Sequence, residues 1–136
     1  MIQNTEIHVV DDKGLRVITA QGRNSASDST GYSFVHCKIT GSGTGIYLGR
    51  AWMAAPKVVY IYTDMGPVVH PEGWSTNFKP EREDTVFYGE YKCTGPGAST
   101  EGRVDYTKQL TNADAQVFLA LDYIQGTKWL LPPPKV

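Results

Sequence analysis

The residues Tyr47 to Trp52, YLGRAW, set one arginine at the end of a short apolar run and two positions before a tryptophan. In an extended chain Arg50 and Trp52 project from one face, about 7 Å apart. The guanidinium is charged at any working pH, since its pKa lies above about 12. If partly buried it needs a carboxylate, and it would keep that carboxylate ionised. Two arrangements fit the pattern: a salt bridge at a rim, or an arginine orienting a catalytic or substrate carboxylate beside a ring that stacks sugars. Trp52 and Trp74 each follow a glycine-containing turn, LGRAW and PEGW. A turn-borne tryptophan either covers the core or offers a flat face, on which the apolar C–H edges of a sugar ring stack well. Trp129, in KWLLPPP, is assigned to core packing.

Other chemistries find little support. There is no GxSxG and no SxxK, so a serine nucleophile is not indicated. GSGTG, Gly41 to Gly45, lacks the GK[ST] ending and the following helix of a phosphate loop, and reads as a plain turn. His8, His36 and His70 share no metal-ligand spacing with each other or with the cysteines. The acidic run EREDT, Glu81 to Thr85, reads as a solvated loop whose ion pairs are worth little. Cys37 and Cys93 form no CxxC; Cys37 is expected in the core, and a disulfide between the two is possible but not required. With 13 basic and 14 acidic residues well mixed, the chain has no basic cluster suited to nucleic acid. No apolar run approaches the roughly 20 residues of a membrane span. The first residues, MIQNTEIHVVDD, lack the basic leader and apolar segment of a signal peptide.

The elements that must position these side chains are mostly strands. At 136 residues, 40% hydrophobic, the chain suits one soluble domain. EIHVVDD, RVITAQG, YSFVHCKI, GIYLG, KVVYIYTD and TVFYGEYKC are short, rich in β-branched and aromatic residues, and separated by Gly, Ser, Asn and Asp. In YSFVHCKI the alternation predicts Val35, Cys37 and Ile39 on one face, with Phe34, His36 and Lys38 on the other. Asn-Gly and Asp-Gly hairpin dipeptides are absent and connections run from three residues to about a dozen, which favours parallel strands stacked in coils. One helix is predicted, with Thr111 as N-cap and Asp114 in its first turn. Val117, Phe118, Leu121 and Ile124 follow at helical spacing, and Gly126 supplies the stop. It is expected as a lid on one end of the β stack, before the prolines of WLLPPP.

Several motifs together resemble plant pectinesterases, the pectin methylesterase family. They are ITAQGR (Ile18–Arg23), YLGRAW, PEGW (Pro71–Trp74), YGEYKCTGPGA (Tyr88–Ala98) followed by RV, and the closing FLALDYIQGTKWLLP. The resemblance runs essentially end to end and in the family's order. It implies an all-β fold, a right-handed parallel β-helix, here partial, with a short C-terminal helix packed on it. It also implies hydrolysis of methyl esters on polygalacturonate, giving free carboxylates and methanol, with no metal or organic cofactor. In that family one aspartate attacks the ester carbonyl, a second acts as acid and then base, and glutamines stabilise the oxyanion. The family arginine pairs with the nucleophile and the tryptophan after it lines the sugar cleft; those roles fall on Arg50 and Trp52, and Trp74 resembles a second cleft tryptophan. Pectin is the implied partner, with a proteinaceous pectinesterase inhibitor as another, in the extracellular cell wall.

The departures define the expectation. The family's aspartates lie in QDT and DFxFG motifs, and neither motif occurs here; Asp11, Asp12, Asp28, Asp64, Asp84, Asp105, Asp114 and Asp122 stand in other contexts. Met1 aligns just past the end of DFxFG, so residues 1–136 resemble the C-terminal part of a catalytic domain, without the segment that carries both aspartates. Ala51 stands where the family usually has proline, which predicts a slightly looser Arg50 loop. Three readings remain: a pectinesterase fragment inactive alone, a non-catalytic pectin- or inhibitor-binding remnant, and a generic β-rich lectin-like module.

Overall fold

The computed structural model describes residues 1–10 and 13–132; Asp11, Asp12 and the prolines Pro133 and Pro134 of the closing run lie outside the described residues. Among the described residues ten short strands follow one another. They are β1 (Ile2–Gln3), β2 (Glu6–Val9), β3 (Tyr32–Val35), β4 (Lys38–Gly41), β5 (Gly49–Arg50), β6 (Lys57–Ile61), β7 (Asp64–Met65), β8 (Trp74–Ser75), β9 (Phe87–Tyr91) and β10 (Thr107–Gln109). Each pairs in parallel with the strand one coil away. The result is three sheets, in the orders β1-β3-β6-β9-β10, β2-β4-β7 and β5-β8. This is the expected parallel β-helix, a solenoid of about three turns.

The corners explain how a continuous strand signal becomes a coil. Asn4, His36, Tyr62 and Lys92 all hold left-handed backbone, with φ of 51°, 51°, 51° and 46°. A non-glycine residue there is strained, and persists only where its surroundings impose it. Here the imposing contacts come from the next coil: the backbone N–H groups of Asn4, His36 and Tyr62 donate to Val35, Ile61 and Tyr91. Rings pile up along the same column, with His36 stacked on Tyr62 at 4.9 Å.

Each corner turns the side-chain alternation, which corrects the reading of YSFVHCKI. Phe34, Cys37 and Ile39 enter the inner core, whereas Val35 joins Val59, Ile61 and Tyr91 on the outer face of the large sheet. Inside, like residues stack rung upon rung: Phe34 on Tyr60 at 4.5 Å, and Trp74 on Tyr88 at 4.3 Å. Cys37 and Cys93 are free. They follow corners two coils apart, with Thr63 on the rung between. Two strand spacings, roughly 9–10 Å, exceed the reach of a disulfide.

The helix begins where predicted. Thr111 and Asp114 form a reciprocal capping box, the Asp114 N–H donating to Thr111 Oγ1 and the Thr111 N–H to the Asp114 carboxylate. The hydrogen bonds to Thr111 hold the Asp114 carboxyl below its usual range. The helix ends early: α1 covers Asn112–Leu119, followed by a 3₁₀ turn, Leu121–Ile124, and α2, Gly126–Trp129. It lies on the outer face of the large sheet rather than across an end, burying Ala115 and Phe118 against Val35, Val59, Ile61 and Tyr91. Lys57 is held beneath it by three rings, Phe118 and Tyr123 at 5.6 Å and Phe87 at 6.0 Å. Desolvation, then repulsion from Arg23, lowers its pKa. Trp129, expected in the core, is 59% exposed. GSGTG is the plain turn anticipated, with positive φ at Gly41, Gly43 and Gly45.

Candidate functional site

Arg50 and Trp52 stand at one edge of the solenoid, where β5 gives way to the loop leading to β6. The strand places them by alternation. Gly49 faces inward against the Trp74 ring, and a Cβ there would sit 2.6 Å from Thr19 Oγ1 and 3.2 Å from the indole. Glycine is therefore required before the arginine, because a large buried ring passes beneath it. Arg50 pairs in register with Ser75 of β8 and points to the opposite side. At Ala51 the chain turns tightly, the Trp52 N–H donating to the Arg50 carbonyl at 2.9 Å. The turn lays the indole against the guanidinium, with Cζ 4.7 Å from the ring centroid. The pair is thus in direct cation–π contact.

What Arg50 lacks matters as much as what it touches. Its Nε is buried without a hydrogen-bond partner, and among the described residues no carboxylate bonds its guanidinium. A buried, unpaired guanidinium N–H is costly. Trp52 remains 51% exposed and offers a face to solvent. Ala51 is fully buried, and its N–H donates to the Ser75 carbonyl at 2.9 Å. Proline could not make that bond, so alanine exchanges one restraint of the loop for another.

Trp74 requires a correction. The sequence made it a candidate sugar platform, but it is 0% exposed, stacked on Tyr88 and edge-on to Tyr60. Its Nε1 donates to Glu90 Oε2 at 3.1 Å. Covering the protein with further chain could only bury it more. Trp74 is the floor under the site, not a wall of it.

That floor is held by a pair the sequence reading missed. Arg103 binds Glu90 through Nε and Nη2, both at 2.9 Å, and its guanidinium also donates to the carbonyls of Pro71 and Gly97 at 2.9 and 2.7 Å. The side chains are 3% and 4% exposed. The signal was a lone glutamate inside YGEY, an otherwise apolar strand, which demands a buried cation.

Fold and edge together define the class: a parallel β-helix protein with an arginine–tryptophan pair on its rim. Comparison with known proteins narrows this. A family profile described as Pectinesterase matches residues 1–127, and the chain belongs to that family. It is 60% identical over 130 residues to "Putative pectinesterase 63" of Arabidopsis thaliana, and 60% identical over 132 residues to "Probable pectinesterase 50" of the same plant. These alignments take in 96% and 97% of this chain but only 38% and 36% of the relatives, so the chain spans little more than a third of their length. Among solved structures, a pectin methylesterase from carrot superposes with a TM-score of 0.86 at 30% identity, over 97% of this chain and 47% of that one.

Proposed function

We propose that this chain forms the arginine–tryptophan side of a pectin-binding cleft, in a protein that hydrolyses the methyl esters of homogalacturonan. The observation that carries the reading is the orphaned Nε of Arg50 beside the exposed face of Trp52. In the mechanism that family membership suggests, an aspartate attacks the ester carbonyl and methanol leaves, taking its proton from a second aspartate. That second group then removes a proton from water, which releases the free galacturonate and regenerates the nucleophile. Arg50 would hold the nucleophile ionised and aimed, since a guanidinium within bonding distance favours the charged carboxylate. Trp52 would stack a sugar ring and keep the ester in register. On this reading both aspartates are supplied from outside these 136 residues, and the chain alone binds without turning over. The setting is the cell wall, where a proteinaceous inhibitor would compete for the same face.

Binding tests it directly. The chain should bind short homogalacturonan oligomers in calorimetry, and Trp52→Ala should weaken that binding about tenfold, the loss of one stacking contact. Equal affinity for the parent and Trp52→Ala would remove Trp52 from the site.

A further inference from the structure

The loop from Ala51 to Pro56 has no secondary structure of its own, yet it carries the exposed Trp52 ring. Its carbonyls are taken by side chains from the coils on either side. Arg23, from the preceding coil and 6% exposed, donates Nε to Ala55 O at 2.5 Å. From the following coil, Thr85 Oγ1 donates to Ala54 O. Between them Arg82, in the 3₁₀ turn Pro80–Arg82, donates a single Nη1 to two carbonyls, Ala51 O and, at 3.1 Å, Trp52 O. Among the described residues Arg82 makes no ion pair, and the hydrogen bonds of its guanidinium go to the loop. The Trp52 ring lies against the Arg50 guanidinium, 4.7 Å from Cζ to the ring centroid. Arg82 holds the backbone from which that ring projects.

We propose that Arg82 is a positioning residue for the Arg50–Trp52 pair: by clamping the carbonyls of Ala51 and Trp52 it keeps the indole over the guanidinium and its free face outward. EREDT is on this account not merely a solvated charge run. The proposal rests on Trp52 as a sugar-stacking face for its consequence, but not for its geometry. Arginine suits the role because a delocalised, always-charged fork can serve two neighbouring acceptors in one plane. Lysine has three N–H donors but a shorter reach and a more flexible stem, and would restore the clamp in part. Glutamine would not span it.

The test uses two readouts on the 136-residue chain in a Trp129→Phe background, where Trp74 is buried and Trp52 is the quenchable tryptophan. Arg82→Gln should raise the acrylamide quenching constant of Trp52 about twofold and weaken homogalacturonan oligomer binding about tenfold. Arg82→Lys should fall between it and the parent on both. If Arg82→Gln is poorly folded by near-ultraviolet dichroism, the Arg82→Lys quenching carries the test alone. Quenching unchanged in both variants overturns the proposal, as does Arg82→Lys behaving like the full loss. A parent that binds no oligomer, with quenching that still responds to Arg82, upholds the clamp and refutes the proposed function.

Discussion

Replacing Arg103 with methionine should show how much the floor beneath Arg50 and Trp52 depends on one buried ion pair. Methionine keeps most of the stem's volume but removes two bonds to Glu90 at 2.9 Å and two to backbone carbonyls. Glu90 is then left inside the solenoid with one donor, Trp74 Nε1. Removing one partner of a buried pair costs about 3–5 kcal/mol, because the survivor is an uncompensated charge. For a domain of this length each kcal/mol moves the melting temperature by about 3–5 °C, so Arg103→Met should melt about 9–25 °C below the parent. Adding Glu90→Gln removes the stranded charge and should recover about half of the loss, a coupling measurable in a double-mutant cycle. The assay is thermal unfolding by circular dichroism at pH 7. Arg103→Met melting within about 3 °C of the parent would refute the magnitude, and no recovery in the double variant would refute its cause.

Three further predictions follow from the outer face and the core. Gly31→Ala would set a Cβ 2.2 Å from the Tyr123 hydroxyl, so the Tyr123 ring must leave its seat, and the amides of the turn Leu121–Ile124 should exchange faster while β6 and β9 stay protected; unchanged exchange would contradict the docking described. Burial pushes the Cys93 thiol up to about 11, so alkylation by iodoacetamide should be slow at pH 8 and rise with pH toward that value. Mild oxidation should leave no internal disulfide, because Cys37 lies two rungs away; an intramolecular bond seen by mass spectrometry would contradict the coil register.

The solenoid was legible from absence as much as presence: strand-rich segments without hairpin turns already argued for stacked coils. The corners were not legible. His36 and Tyr62 carry no turn chemistry, and their left-handed backbone is imposed by hydrogen bonds to the neighbouring coil, which no local propensity reports. For that reason KVVYIYTD reads as one strand but forms two, β6 and β7, and RVITAQG contributes only a bridge from Val17 to Tyr47. The cap at Thr111 was read correctly because it is local; the early end of α1 was not, since the outer face of the sheet decides where the chain must leave. At the site, the spacing of Arg50 and Trp52 put both on one face. It missed the turn at Ala51 that brings them into contact. The turn signal before Trp74 pointed outward, while the ring stack beneath Gly49 drew it in.

The central claim is that Arg50 is one half of an ion pair whose carboxylate lies outside these residues. Its most direct test is methanol release from methyl-esterified homogalacturonan by the purified 136-residue chain. The account predicts none above a heat-killed control. Release that Arg50→Ala abolishes would mean that a nucleophile is present within the chain, and would contradict it.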